Sequence, residues 1–210
     1  MTKPNEAILI VEDIPNVLDL LEMTLKFQGY NVLTSRNGEE ALETLEKVKP
    51  GLIITDILMP KLDGFAMVQK IRTNPETQNI PVIFLSATYI TPDDRSFALK
   101  LGASRFIEKP IDTEDFLLTV AELLSQNHIT VTRPMSEPKF YVGYRERLEI
   151  KLEHKEKQIK RIERLLPNIP PAQKTSFEEL YKHAVYDRDE ITKELEQLEE
   201  NIQKLNEKNE

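Results

Sequence analysis

Short apolar runs and amphipathic stretches alternate through the first 125 residues of the chain. The runs are aliphatic and often β-branched, and polar or turn residues follow each one, as expected for strands buried on both faces. They span residues 7–11, 32–34, 52–55, 82–85 and 105–107. Helical periodicity appears between and after them, near 14–28, 37–48, 63–73, 92–101 and 112–125. Five strands alternating with five helices predict an α/β fold with a doubly wound parallel sheet.

The pattern changes near residue 126. Residues 126–138 contain two prolines and no helical period, which indicates a linker. Beyond the linker, residues 139–210 predict two long helices. Three prolines within 167–171 must interrupt the helical pattern, because proline lacks a backbone donor and clashes with the preceding turn. Capping-box sequences that begin at Thr175 and Ser176 predict where the second helix starts.

Apolar residues in both long helices follow the 4-3 spacing of a coiled-coil seam. The predicted seam residues are Leu148, Leu152, Ile159, Ile162 and Leu166 in the first helix, and Ile191, Leu195, Leu198, Ile202 and Leu205 in the second. Phe177, Tyr181 and Ala184 continue the second series towards its N-terminal end, and Lys155 and Arg188 interrupt the two series. The spacing predicts a helical hairpin or a coiled coil, formed either within one chain or between chains.

Composition narrows the class of protein. The chain has no cysteine, which excludes disulfides and thiolate metal sites. It has neither a signal-peptide pattern nor an uninterrupted apolar stretch of membrane-spanning length, so we expect a cytoplasmic protein without membrane insertion. Residues 1–124 carry 12 Lys and Arg against 19 Asp and Glu, and residues 125–210 carry 16 against 17. Neither part has the basic surface that nucleic-acid binding requires.

Polar side chains follow the predicted strands at the points where the strands end. Glu12 and Asp13 follow the first strand, Asp56 the third and Ser86 the fourth, while Lys109 follows the fifth. The carboxyl ends of parallel strands meet at one edge of a sheet, which is where such folds place their sites. Three adjacent carboxylates repel one another, and Mg²⁺ is a hard cation that would hold them ionised. A carboxylate in such a site can act as a nucleophile towards phosphorus.

These motifs resemble the receiver domain of two-component response regulators. The matching segments are Val11-Glu12-Asp13, Asp56-Ile57-Leu58-Met59-Pro60 with Asp63-Gly64, Leu85-Ser86-Ala87, Gly102-Ala103 and Lys109-Pro110. The resemblance covers about the first 124 residues, in order and with the family's spacing. It implies a flavodoxin-like sheet of strand order 2-1-3-4-5 in a receiver domain at 1–125. The change of pattern described above adds a linker at 126–138 and a hairpin or coiled coil at 139–210.

The resemblance also assigns roles to single residues. Asp56 would be the phosphoacceptor, and Mg²⁺ would be held by Glu12, Asp13, Asp56 and the Leu58 carbonyl, with Glu12 acting through water. Ser86 and Lys109 would contact phosphoryl oxygens. Phe106 matches the aromatic switch residue, without the hydroxyl of the tyrosine that is often found there. Glu12 replaces the more usual aspartate, and an apolar Leu58 is expected to hinder hydrolysis of the acyl phosphate.

The predicted function is a response regulator that a histidine kinase phosphorylates and whose output is protein contact, as a homodimer with an unidentified downstream partner. The tail shows no DNA-binding spacing and no pattern of a catalytic output domain. Two alternatives stay open: a constitutive scaffold that uses the receiver for dimerisation, and a phosphotransfer hairpin that uses a histidine. His128 lies in the linker, and the heptad places His154 and His183 on its exposed side.

Overall fold

The computed structural model describes residues 7–86, 92–125 and 134–207, which form two compact units that divide between Ser136 and Glu137. In the first unit the strands are β1 (Ile8–Val11), β2 (Val32–Ser35), β3 (Leu52–Asp56), β4 (Val82–Ser86) and β5 (Arg105–Glu108). The helices are α1 (Pro15–Phe27), α2 (Gly38–Lys47), α3 (Gly64–Thr73), α4 (Pro92–Leu101) and α5 (Thr113–Ser125). All strand pairs are parallel and the order is β2-β1-β3-β4-β5, which confirms the predicted flavodoxin-like sheet.

Burial differs between the centre and the edges of the sheet. Every residue of β1, β3 and β4 is buried, as predicted for strands covered on both faces. The same prediction is wrong for β2 and β5, which each expose part of their length. Both are edge strands, so each has a neighbour on one side only.

Helices cover both faces of the sheet. Apolar side chains of α1 and α5 pack with β1, β3 and β4 in one core that includes Leu21, Phe116 and Val120. On the other face α3 contacts both α2 and α4. Phe65 of α3 lies between Phe84 of β4 and Phe97 of α4, with ring centroids 5.3 and 5.1 Å away. Helices on both faces of a parallel sheet are the result expected from right-handed crossover connections.

Arg72 holds the C-terminal part of α3 to the surrounding loops. The side chain is fully buried and donates to the carbonyls of Gln78, Ile80 and Gly102 at 2.8 to 3.2 Å. Burial lowers its pKa to about 10, so it stays charged at neutral pH. Because backbone carbonyls solvate a buried guanidinium, Arg72 ties α3 to the turn that follows α4.

The second unit is an antiparallel hairpin of α6 (Glu137–Leu165) and α7 (Pro171–Glu207), joined through a 3₁₀ turn at Leu166–Asn168. Its direction follows from three side-chain pairs in which early positions of α6 meet late positions of α7. These are Tyr144 with Glu194, Lys155 with Asp187 at 2.6 Å, and Glu163 with Tyr181 at 3.1 Å. The seam therefore closes within one chain.

Two details of the hairpin differ from the prediction. The second helix begins at Pro171, before the capping boxes at Thr175 and Ser176, because proline is well suited to the first helical position. The seam also begins earlier than Leu148, with the stacked and buried rings of Phe140 and Tyr144. The first helix itself begins inside the predicted linker, most of which (126–133) lies outside the described residues.

The predicted seam positions differ in how deeply they are buried. Leu148, Ile159, Ile162, Ile191 and Leu198 are buried. Leu152, Leu166, Leu195, Ile202 and Leu205 are half-buried. Lys155 and Arg188, the polar interruptions, are each paired with an aspartate, Asp187 and Asp189. The Lys155–Asp187 pair joins α6 to α7, so it favours one register of the seam over its alternatives, whereas the Arg188–Asp189 pair lies within α7.

Candidate functional site

The carboxyl edge of the sheet brings Glu12, Asp56 and Lys109 into direct contact. Glu12 follows β1, Asp56 is the last residue of β3, and Lys109 follows β5. The Lys109 ammonium lies 2.6 Å from Asp56 Oδ1 and 2.8 Å from Glu12 Oε2. One cation therefore bridges two carboxylates that the sequence separates by 44 positions. Geometry of this kind provides a nucleophilic oxygen beside a positive charge.

The loop after β3 orients the Asp56 side chain. Asp56 is 7% exposed, and its second oxygen, Oδ2, accepts a hydrogen bond from the Leu58 backbone N–H at 2.8 Å. Gly64, the first residue of α3, packs against the Asp56 backbone so closely that an added Cβ would lie 2.3 Å from the Asp56 carbonyl oxygen. The Gly64 N–H also donates to the Ile57 carbonyl at 2.9 Å. These contacts fix Asp56 relative to α3.

Glu12 is the most enclosed acid of the site. Its side chain is 0% exposed, and Oε1 accepts from the Ile14 N–H at 3.3 Å. Burial raises the pKa of Glu12 and the negative charge of Asp56 raises it further, while the hydrogen bond from Lys109 opposes both. A buried carboxylate in this position favours a compensating cation.

Lys109 is held at both its main chain and its side chain. Its backbone N–H donates to the Ser86 carbonyl at 2.6 Å, which joins the ends of β4 and β5. Burial alone would lower the pKa of Lys109, but the charges and hydrogen bonds of Asp56 and Glu12 outweigh it and raise that pKa. The side chain is thus a permanent cation at physiological pH.

The donor set fits a hard divalent cation. Glu12, Asp13 and Asp56 provide only carboxylate oxygens, and with Lys109 charged the four groups leave a negative balance that one Mg²⁺ would neutralise. Within 7–86, 92–125 and 134–207, no three His, Cys, Asp or Glu side chains are grouped closely enough to hold a metal in this conformation. Lys109 occupies one oxygen of Glu12 and one of Asp56, so an ion bound here would compete with it.

The other predicted site residues lie on or shortly after β1, β3, β4 and β5. Ser86 closes β4 and is buried, and Phe106 on β5 is half-buried beside its strand partner Phe84. Asp13 follows Glu12 and is half-buried, whereas the Leu58 side chain is 43% exposed. Ala87 of the predicted motif lies outside the described residues. The expected phosphate-binding and switch roles of Ser86 and Phe106 stay predictions.

Sequence reasoning overlooked two features of the site. It included Gly64 in a motif without anticipating that a Cβ there has no room beside Asp56. It also treated Glu12 as a metal ligand only, although Glu12 pairs with Lys109. A glycine immediately after an N-capping aspartate, Asp63, was the one available signal of close approach.

The two histidines that the structure describes both belong to the second unit. His154 on α6 and His183 on α7 are both exposed, as the heptad predicts. His128 lies outside the described residues. In the described part of the chain, no helix is long and apolar enough to cross a membrane.

Comparison with known proteins decides the family. A model of the response regulator receiver domain matches residues 8–121, which include Glu12, Asp56, Ser86 and Lys109. The chain belongs to the response regulator receiver domain family. The family match ends before the hairpin, so the assignment concerns the receiver domain.

Solved structures agree with this assignment. The signal receiver domain of a signal transduction histidine kinase from Syntrophus aciditrophicus is 36% identical, with a TM-score of 0.55 over 61% of this chain and 98% of that one. A putative response regulator from Chloroflexus aurantiacus is 30% identical, with a TM-score of 0.55 over 58% of this chain and 98% of that one.

One curated relative is similar over about half of its own length. The alkaline phosphatase synthesis transcriptional regulatory protein PhoP of Bacillus subtilis is 34% identical over 135 residues, which is 64% of this chain and 54% of that protein. This chain spans about half the length of several such relatives. The resemblance therefore concerns the receiver domain.

Proposed function

We propose that this protein is a two-component response regulator in which a histidine kinase phosphorylates Asp56 and the helical hairpin carries the output. The observation that supports it best is the contact of Asp56 with Lys109 beside the buried Glu12, inside the segment that matches the family. We propose that the protein carries out this signalling in the cytoplasm.

In the proposed reaction an Asp56 carboxylate oxygen attacks the phosphorus of a phosphohistidine. A P–O bond forms while the P–N bond breaks, and the imidazole leaves with the electron pair of that bond. Lys109 would move with the transferred group and neutralise one of its oxygens. Mg²⁺, held by Glu12, Asp13, Asp56 and the Leu58 carbonyl, would supply further charge neutralisation. Slow hydrolysis would restore Asp56, so the protein accepts a group and is not an enzyme acting on a separate substrate.

The switch would operate through Ser86 and Phe106. Ser86 ends β4 and its carbonyl accepts from the Lys109 N–H, so a displacement at the phosphoryl group reaches both strand ends. Phe106 is half-buried, and a change of its rotamer would change how it packs. This change would alter the surface of α4, β5 and α5, which is where we expect contact with other proteins to depend on phosphorylation.

The charge and packing of the hairpin support an output in which the protein acts by binding other proteins. Residues 125–210 are nearly balanced in charge, which disfavours nucleic-acid binding. The seam is already closed by α6 and α7 of one chain, so a homodimer would use the outer faces of the hairpin or the receiver. We propose that phosphorylation changes this dimerisation or the binding of a downstream partner.

Acetyl phosphate with Mg²⁺ provides the test of phosphorylation. The wild type should gain the mass of one phosphoryl group in an acid-stable, base-labile form, and Asp56→Asn should gain none. Asp19→Asn, which alters an exposed carboxylate of α1, is the matched control and should behave as the wild type. Label in Asp56→Asn equal to that in the wild type would place the acceptor elsewhere, and an acid-labile product would indicate a histidine.

Beryllofluoride with Mg²⁺ separates the switch from the constitutive scaffold. Light scattering of the full chain should change with beryllofluoride in the wild type and not in Asp56→Asn. An oligomeric state that is the same under all four conditions would favour the scaffold.

A further inference from the structure

A residue of α3 holds the main chain of the linker. Gln69 donates from Nε2 to the Met135 carbonyl at 3.0 Å, across 66 positions of sequence. Met135 lies between the end of α5 at Ser125 and the start of α6 at Glu137. Helix α5 packs on one face of the sheet and α3 on the other. The chain therefore reaches the α3 side of the first unit just before the hairpin begins.

Burial of the Gln69 amide in this contact is energetically unfavourable. Its side chain is 6% exposed, and its Oε1 is buried with no hydrogen-bond partner among the described residues. A buried amide with one unsatisfied atom stabilises the folded protein less than a well-packed apolar side chain of similar shape would. The contribution that an apolar residue could not make at this position is the hydrogen bond to Met135. Here we call that bond the linker clamp.

Helix α3 also contacts the phosphoacceptor. Gly64 at its first position leaves no room between the helix and the Asp56 carbonyl, so the Asp56 backbone cannot move towards α3 without displacing it. Arg72 fixes the other end of α3 through the carbonyls of Gln78, Ile80 and Gly102. Gln69 lies between these two points, about 7.5 Å along the axis from Gly64. A displacement of the Asp56 backbone towards α3 would therefore move the part of α3 that carries the clamp.

We propose that Gln69 is a positioning residue that holds the linker at Met135 on α3 and releases it when Asp56 is phosphorylated. The first half of this inference depends on the contact alone, and the second half rests on the proposed function of Asp56. A single hydrogen bond is suited to such control, because a shift of less than ~1 Å along α3 would weaken it substantially. The linker at Met135 would then be held on α3 in the unphosphorylated state and released in the phosphorylated state.

The absence of cysteine makes the clamp directly measurable. Met135→Cys introduces the only thiol of the full chain, and its reaction with a maleimide reports how often the linker leaves α3. Adding Gln69→Met, which keeps the shape and removes the donor, should speed labelling about five-fold, the factor expected for one lost hydrogen bond. Lys70→Ala, an exposed neighbour on the same helix, should leave the rate unchanged.

Gln69→Glu provides a second variant that keeps the side-chain length and cannot donate when ionised. Gln69→Glu should also accelerate maleimide labelling. Circular dichroism should show that each variant keeps the fold of the Met135→Cys parent. Equal labelling rates in folded parent, Gln69→Met and Gln69→Glu chains would overturn the clamp. Acceleration by Lys70→Ala as large as that by Gln69→Met would also overturn it, because the effect would then be general loosening of α3.

Beryllofluoride with Mg²⁺ tests the release. In the Met135→Cys chain the ligand should speed labelling, and in the Gln69→Met double variant it should add little. If acetyl phosphate phosphorylates Asp56 but labelling does not respond, the coupling is wrong and the proposed function stands. If Asp56 takes up no phosphoryl group, the proposed function fails and the release fails with it, while the comparison of Gln69 variants still decides the clamp.

Discussion

Asp56 Oδ1 lies 2.6 Å from the Lys109 ammonium, and the same ammonium reaches Glu12 Oε2 at 2.8 Å. The phosphoacceptor that we propose is therefore already paired with a cation before any phosphoryl group arrives. Glu12 shares that cation while it is fully buried, so its charge is the one that burial penalises most. The first prediction concerns the cost of this buried charge.

We predict that Glu12→Gln stabilises the metal-free protein at neutral pH. The pKa of Glu12 is raised above 4.5 in the folded state, so between 4.5 and that raised value the folded chain holds a proton that the unfolded chain has lost. Its contribution to stability is present at low pH and is lost as the pH rises. Removing the charge should increase the free energy of unfolding near pH 8 and have a smaller effect near pH 5.

Urea unfolding in the presence of EDTA measures this difference. Lys109 does not contribute to the slope, because its pKa is raised from 10.5 and it stays protonated in both states over that range. Glu46→Gln, an exposed position on α2, is the control. Added Mg²⁺ should stabilise the wild type more than Glu12→Gln. A wild type that is more stable than Glu12→Gln near pH 8 without metal would contradict the prediction.

Gly64→Ala should destabilise the first unit and disturb Asp56. The added Cβ would lie 2.3 Å from the Asp56 carbonyl oxygen and 3.1 Å from Phe84 Cε1, so the backbone must shift, at about 1–3 kcal/mol. Phosphorylation by acetyl phosphate should slow as well. Thermal unfolding and the rate of mass gain measure the two effects.

Gly29→Ala provides the contrast to Gly64→Ala. Gly29 has a φ of +85°, and no atom lies within 4 Å of the position that a Cβ would take, so alanine would meet backbone strain of about 1 kcal/mol and no steric contact. It should lower stability without changing the rate of phosphorylation. Equal slowing in both variants would mean that the contact with Asp56 is unimportant.

The next prediction concerns how the ion pair of Lys155 with Asp187 affects the pairing of α6 with α7. Lys155→Leu should increase the free energy of unfolding of the hairpin by about 1 kcal/mol, because leucine buries apolar surface in the seam while Asp187, whose side chain is 44% exposed, stays hydrated without its partner. The same change removes a polar pair that specifies register, so higher oligomers should appear. Lys157→Leu, at an exposed position of α6, should not stabilise it. Thermal unfolding and light scattering together decide the outcome.

The sequence predicted those residues whose positions depend on nearby segments of the chain. Glu12, Asp56 and Ser86 were found because each follows or ends a buried apolar run, and a parallel sheet brings such ends together. The same holds for Gly29, whose positive φ after α1 fits the predicted helix end. These features need no knowledge of which distant residues touch.

Contacts between distant residues could not be predicted in this way. The bond from Gln69 to Met135 spans 66 positions, and no periodicity signals it. Apolar spacing predicted the seam, but closure within one chain depends on the turn at Leu166–Asn168 and on pairs such as Lys155 with Asp187. Pro171 illustrates the remaining ambiguity, because a proline that ends one helix can equally begin the next.

Leu58 offers the most direct control of signal duration. Its backbone N–H orients Asp56, while its side chain is 43% exposed beside the proposed acyl phosphate and presents no polar atom to an attacking water. Leu58→Asn keeps the backbone donor and adds an amide that can hold such a water. A barrier lower by about 1.4 kcal/mol would shorten the phosphoprotein lifetime about ten-fold.

The lifetime is measured as the loss of base-labile phosphate after acetyl phosphate is removed. Leu99→Asn on α4 makes the same chemical change at a similarly exposed leucine and should leave the lifetime unchanged. A lifetime in Leu58→Asn equal to or longer than that of the wild type would show that Leu58 does not restrict hydrolysis. A shorter lifetime in both variants would instead reflect loosening of the receiver as a whole, since α4 lies outside the loop that carries Leu58.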